Sequence, residues 1–253
     1  MKERPLILVT NDDGIHAKGL RELVEVMNFF GEVAVISSEI PMSGKSSAIT
    51  IDQPLRAVPV EKIHGAPTWK CNGTPVDSVK LSFNTLLSRT PDYVVSGINH
   101  GANSSISVIY SGTMGAAIEG SLHGIPSIGF SLTDFNPDAD FSKAKIIVAR
   151  VFQSVIDNGL PPFTCLNVNI PKGKPKGIKI CRQTQGKWVE EFEKRTDPQG
   201  REYHWLSGYF KNFEESSPDT DIEALKNNFV AIVPVSTDMT CYSTLEKLKN
   251  WTF

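Results

Sequence analysis

Residues 11–14 read Asn-Asp-Asp-Gly and follow an unbroken apolar run, Leu6-Ile7-Leu8-Val9. Such a run suits a strand covered on both faces, and parallel strands of that kind present ligands at their carboxyl ends. Asp12 and Asp13 therefore fall where active sites fall. Two adjacent carboxylates repel each other and lose hydration there, so they are tolerated chiefly when a cation neutralises them or one takes up a proton. A hard divalent metal is the first inference. Two further clusters, Ser43-Gly44 and Gly97-Ile98-Asn99, follow other strand-like stretches. Together the clusters offer carboxylates, a hydroxyl and an amide oxygen, which suit magnesium, manganese or calcium. A fourth cluster, Ser111-Gly112-Thr113, opens a helical pattern. Free N–H groups and hydroxyls at a helix start bind phosphate well. A metal beside an oxyanion nest points to phosphoryl chemistry.

Each cluster alone has a plainer meaning. Asp-Gly is a common turn, and residues 11–14 could merely cap the helix that follows. Ser43, Gly44 and Asn99 alone are loop residues; only the combination favours a site. His16, His100 and His123 are placed outside the metal shell, His123 being at a helix end that favours positive charge. Gly44-Lys45-Ser46 ends like a triphosphate-binding loop, but Glu39 stands where that motif has its first glycine, and a carboxylate there would oppose phosphates. No G-x-G-x-x-G follows the first strand. A phosphorylatable receiver domain needs an aspartate ending its third strand and a lysine ending its fifth, where this chain has Ser96-Gly97 and Ser131-Leu132. A non-catalytic nucleotide-binding scaffold would hold the same ligands without turnover.

The clusters sit on alternating elements. Leu20, Leu23, Val24 and Met27 have helical spacing and stop before Gly31; Glu32 to Ser37 reads as a strand, with residues 38–45 as a loop leaving it. Thr74-Pro75-Val76-Asp77 opens a helix through Leu87, with Asp77 as its cap acid. Pro91 to Ser96 reads as a strand and residues 97–103 as its loop. Met114 to Leu122 is a helix, Pro126 to Leu132 a strand, and Phe141 to Ile156 a strongly amphipathic helix. This alternation predicts an α/β fold, a mostly parallel sheet with helices on both faces, over residues 1–170. From 171 the texture changes. An exposed strand at 177–184, a long hairpin from Trp188 to Trp205 turning at Asp197-Pro198-Gln199-Gly200, a short helix, a strand from Phe229 and an amphipathic tail ending in Trp251 and Phe253 are expected. The tail's aromatic end suggests a dimer contact.

Composition sets the outer limits. The chain has 253 residues, 40% hydrophobic, with 26 basic against 28 acidic residues. That balance gives no reason to expect nucleic-acid or membrane partners. Met1-Lys2-Glu3-Arg4 opens like a signal peptide, but the apolar stretch behind it is only about five residues long. Cys71, Cys165, Cys181 and Cys241 form no C-x-x-C pair, so buried thiols in a reducing cytoplasm are expected.

Several of these stretches, in order, resemble the motifs of the SurE (survival protein E) nucleotidases: Asn11–Gly14 with Gly19, Ser43-Gly44, Asn72–Asp77, Ser96–Asn103 and Tyr110–Ala117. The likeness spans nearly the whole chain, Thr220-Asp221 included. It implies a Rossmann-like core with a hairpin extension, and a C-terminal segment exchanged in a homodimer or tetramer. It also implies hydrolysis of nucleoside 5′- and 3′-monophosphates, and of short polyphosphate, with Mg2+ or Mn2+. Carried over motif by motif, the family's metal ligands fall on Asp12, Asp13, Ser43 and Asn99. Asn11, Gly44, Asn103, Ser111, Gly112 and Thr113 are the candidates to hold the phosphate. Asp12, ahead of Asp13, is the candidate to accept a proton from water. One departure stands out: members often have Ala-Pro-Asp after the second strand and basic residues before the serine, where this chain has Ser37-Ser38-Glu39 and Ile40-Pro41-Met42. That loop has lost positive charge, with Lys45 as the residue available to compensate.

Overall fold

The computed structural model describes residues 4–252; Met1 to Glu3 of the signal-like start and Phe253 of the tail lie outside the described residues. The first half contains β1 (Leu6–Thr10), α1 (Lys18–Met27), β2 (Glu32–Ser38), β3 (Ala57–Ile63), β4 (Ala66–Cys71), α2 (Pro75–Leu81) and β5 (Tyr93–His100). It continues with α3 (Gly112–Leu122), β6 (Ser127–Leu132), α4 (Ser142–Asn158) and β7 (Thr164–Ile170). Among the described residues these strands join a nine-stranded sheet in the order β3-β4-β2-β1-β5-β6-β7, completed by two later strands. Pairing is parallel from β4 through β7. Alternate residues of β1 serve opposite faces, as the two-residue period of a strand requires. Ile7 and Val9 pack in one core with α1 and α4; Leu8 packs with Ile36, Val79 and Ala116 on the face of α2 and α3. The predicted two-sided sheet is therefore present.

The sequence reading passed over the hairpin β3–β4. Its outer strand is mostly exposed and carries Pro59, which an edge strand tolerates because that side of the ladder needs no donor. Thr74 caps α2 as expected, in a reciprocal capping box with Asp77. Asp77 does more than cap: it also accepts bonds from the backbone N and Oγ1 of Thr50. The helix stops at Leu81, and a π-helical turn, Ser82–Leu86, replaces the expected continuation.

After residue 170 the chain does two things. β8 (Ile178–Ile180) and, later, β13 (Val230–Ser236) extend the sheet beyond β7, with Val230 and Ile232 in the main core. These two strands belong to the central sheet. Between them β9 (Gly186–Val189), β10 (Phe192–Thr196), β11 (Glu202–Leu206) and β12 (Tyr209–Asn212) form an arm: β9 pairs with β12 at its root, β10 with β11 at its tip. α5 (Asp221–Lys226) leads into β13, and α6 (Tyr242–Leu248) forms a tail with no buried residue. Among the described residues no helix is long and apolar enough to cross a membrane.

Candidate functional site

The strand order reverses at β1: the chain passes from it to β2 on one side, and β5 lies on the other. Open α/β sheets bind ligands in the crevice at the carboxyl ends of such a pair. Asp12 and Asp13 follow β1 directly, and Asn99 stands near the end of β5. Asn99 was expected in a loop, but β5 runs on to His100 past an irregularity between Ser96 and Asn99. Gly97 makes this detour possible. Its φ is +127°, and a Cβ there would run into the carbonyl oxygen of Phe130.

The acidic turn does not cap α1, whose N-cap is Ala17 with no side-chain bond, so the plain capping reading is excluded. Asn11 braces the turn. Its Nδ2 donates to the carbonyl of Gly14 at 3.0 Å, and its Oδ1 accepts from Ser37 Oγ at 2.5 Å. Fully buried and occupied at both ends, it supports the site where a phosphate contact was expected. Asp12 is almost fully buried, and its Oδ1 accepts the hydroxyl of Thr113. Burial pushes its pKa up, against that hydroxyl and the backbone N–H groups of Gly112 and Thr113. The donors at the start of α3 thus face Asp12, while Ser111 Oγ accepts from Met114 N as the helix cap. Asp13 Oδ2 accepts from the backbone N of His100 at 3.0 Å. Burial first, and the neighbouring Asp12 charge second, push its carboxyl up to about 6.

Asn99 donates from Nδ2 to the Gly101 carbonyl at 2.8 Å, which leaves Oδ1 for a ligand. Ser43 reaches the same cavity from the loop after β2. That loop is seated by Met42 N on the Asp12 carbonyl at 2.7 Å and by Ser46 Oγ on the Ile109 carbonyl at 2.5 Å. It lies so close to α3 that a Cβ on Gly115 would meet the Ser46 carbonyl oxygen. Lys45 is exposed and does not line the cavity; Glu39 pairs with Lys70 at 2.5 Å. The acid of this loop is therefore paired at the edge of the sheet.

The cavity measures about 660 Å³. Asp12, Ser43, Gly44, Asn99, Asn103 and Ser111 line it, as do residues that sequence reasoning missed: His100, Ser107, Tyr110, Phe135, Trp188 and Glu191. Asn11, Asp13, Gly112 and Thr113 are not among the residues that line it. His100 was set aside as a loop histidine, but its position directly after Asn99 was a usable signal. Trp188 and Glu191 carried none, because only the fold brings the arm across the strand ends.

Among the described residues no group of three or more His, Cys, Asp or Glu side chains gathers. A metal would rest on mixed oxygen donors, and the set fits a hard divalent cation: two adjacent carboxylates, Asp12 buried and Asp13 half-buried, with no ion pair among the described residues, an unengaged amide oxygen and a hydroxyl. Cys71, Cys165 and Cys181 are buried as expected, but Cys241 is exposed on the tail.

Fold and site define an α/β protein built around an acidic pair at a topological switch point. The family model described as Survival protein SurE matches residues 7–190. A curated relative from Christiangramia forsetii named 5′-nucleotidase SurE is 50% identical, covering 99% of this chain and 98% of its own length. Its namesake from Flavobacterium psychrophilum is 49% identical over 98% of each. The crystal structure of SurE protein from Aquifex aeolicus matches with a TM-score of 0.83 at 32% identity, covering 97% of this chain and 98% of that one. The chain belongs to the SurE family.

Proposed function

We propose that this protein is a metal-dependent phosphomonoesterase, a 5′-nucleotidase that hydrolyses nucleoside 5′- and 3′-monophosphates to nucleoside and phosphate. The observation that carries it is the acidic pair, Asp12 buried and Asp13 half-buried, with Asp12 lining one nucleotide-sized cavity together with Asn99 and Ser43. Asp12, Asp13, Ser43 and Asn99 would hold Mg2+ or Mn2+, which supplies charge neutralisation for the phosphoryl oxygens and a lowered water pKa. The protein's own groups do the rest. Asn103 and Ser111 face the cavity and orient the phosphate, with Gly44 closing it from the side of the Ser43 loop. Asp12, its pKa already raised by burial, accepts a proton as the water oxygen bonds to phosphorus. The ester P–O bond breaks, and the departing oxygen takes up a proton from solvent water to leave as the nucleoside hydroxyl, Asp12 returning its own to solvent. Thr113 and the N–H groups of Gly112 and Thr113 keep Asp12 aimed throughout.

Monophosphates are favoured over short polyphosphate because no Lys or Arg stands among the residues lining the cavity, while Asp12 and Glu191 do. A longer polyanion would meet carboxylates at both ends. The arm and tail expose Phe192, Tyr203, Trp205, Leu206, Met239 and Tyr242, a pattern that supports a homodimer or tetramer built through these segments. The buried thiols support a reducing, cytoplasmic setting. The direct test is phosphate release from a panel of nucleoside monophosphates with Mg2+ or Mn2+, before and after chelation. Silence with every metal and nucleotide would overturn the assignment.

A further inference from the structure

Asp221 is a buried carboxylate with no part in the chemistry above; it is 1% exposed and begins α5. Hydrogen-bond donors from two distant segments converge on it. Its Oδ2 accepts from the backbone N of Ser105 at 2.7 Å; its Oδ1 accepts from Thr184 N at 3.0 Å, Thr184 Oγ1 at 2.6 Å and Ile222 N at 2.8 Å. Ser105 Oγ in turn donates to the Thr184 carbonyl at 2.8 Å. Ser105, Thr184 and Asp221 thus form a closed triangle of buried bonds. Ser105 also has a φ of +53°, unfavourable for a serine, so its turn relies on outside bonds to keep its shape.

Two of the corners lead to different walls of the cavity. Ser105 opens the 3-10 turn Ser105–Ile109, which presents Ser107 to the cavity and is followed by Tyr110 and Ser111. Just before it, Asn103 is fixed through its backbone N on Asn169 Oδ1 at 2.7 Å and its Nδ2 on Ser131 Oγ at 2.8 Å. Thr184 precedes the arm, and the arm brings Trp188, Glu191, Leu206 and Ser207 to the opposite wall. The arm-tip strands are exposed throughout, so the root sets where those side chains stand.

We propose that Asp221 is a positioning residue for the nucleoside end of the substrate: it clips the arm root to the wall carrying Asn103 and Ser107, fixing Trp188 and Glu191 across the cavity. The proposal rests on the nucleotidase reading. A carboxylate is needed at this point because all the converging groups are donors; an asparagine would turn its NH2 toward some of them. The indole of Trp188 offers a flat face to a base, and a face that drifts about an ångström loses that contact.

The test uses full-length protein loaded with Mn2+. KM and kcat are measured for a nucleoside 5′-monophosphate, and the inhibition constant for inorganic phosphate, which occupies only the inner end. In Asp221→Asn the nucleotide KM should rise on the order of tenfold, with kcat and the phosphate inhibition constant within about twofold of the parent. Trp188→Ala should raise KM similarly, and the double variant should add little, since both act on one contact. If KM and the phosphate constant rise together, or neither moves, the proposal fails. Should Asp221→Asn not fold, Thr184→Val removes one hydroxyl from the triangle; an unchanged KM there overturns the proposal. Wild-type protein inactive on all nucleotides overturns the nucleotidase reading itself, whereas an active wild type with an unchanged KM in the variants overturns this inference alone.

Discussion

The two ends of the cavity are built by opposite means. At the inner end the chemistry-bearing side chains come from strand ends and tight loops, with Asp12 and Asn99 buried and braced by Thr113 and Gly101. At the outer end Trp188, Glu191 and Leu206 sit on an arm whose tip has no core of its own, and Leu206 is 72% exposed. Reaction geometry tolerates little displacement, whereas recognition of a substrate's far end tolerates more. The inner end also stores unfavourable electrostatics. Two adjacent carboxylates, one buried and one half-buried, stand there without an ion-pair partner among the described residues, which a fold retains when function needs it.

The sharpest break of the inner end is Asp12→Asn. The variant should lose activity by on the order of 10³-fold or more, because a ligand and a proton acceptor go together. Its metal-free melting temperature should match or exceed the parent's at neutral pH, since burial opposes the Asp12 charge. Normal turnover would remove Asp12 from the site; a large fall in melting temperature would recast it as structural.

Gly115→Ala tests whether the inner end depends on close backbone approach. The added methyl has no room against the Ser46 carbonyl, so the Ser43 loop must move. Overpacking of this kind costs about 1–3 kcal/mol, and metal affinity should weaken on the order of ten- to a hundredfold. Calorimetric titration with Mn2+ reads the second effect directly. Unchanged affinity would show that the loop adapts.

The acidic pair also predicts opposite pH trends with and without metal. Asp13 has a folded pKa of about 6 against an ordinary 3.8, so the folded state holds the proton more tightly than the unfolded chain does. In metal-free protein that stabilisation is present below about pH 4 and is lost as pH rises through about 6. Asp12 shifts in the same direction and adds to the trend. Metal binding needs both groups ionised, so affinity should climb over the window in which apo stability declines. Melting curves between pH 4 and 8, with and without Mn2+, check both slopes; parallel slopes would refute the coupling.

The same contrast explains what the sequence revealed. Asp12, Ser43, Asn99 and Ser111 were legible because each follows an apolar strand or opens a periodic helix, so local pattern and chemistry coincide. The two-sided sheet was legible for the same reason. Asn11 and Thr113 were found as site residues but in other roles, since only packing shows that their polar atoms serve the acidic turn. β3 and β4 were missed because an exposed edge hairpin with Pro59 lacks an apolar signature. The arm was visible as a hairpin, yet its root meets the cavity wall through bonds among Asp221, Ser105 and Thr184, which are 37 to 116 residues apart and carry no shared local pattern.

The smallest expected effect on chemistry belongs to the arm tip. Phe192 and Leu206 share one face of the β10–β11 ribbon, while Tyr203 and Trp205 share the other. Apolar side chains on both faces of a two-stranded ribbon leave it no interior, and isolated ribbons are only marginally stable in water. A second copy of the chain covering those faces would resolve both problems. Tyr203→Ser with Trp205→Ser should therefore lower the assembly mass in light scattering while p-nitrophenyl phosphate turnover with Mn2+ stays within about twofold, as expected for groups remote from the reacting phosphate. A wild-type protein that already scatters as a single chain would remove the partner from this account. A double variant that lost p-nitrophenyl phosphate turnover would instead join the two ends of the cavity into one catalytic unit, and the division between a rigid chemical end and an adaptable recognition end would fall.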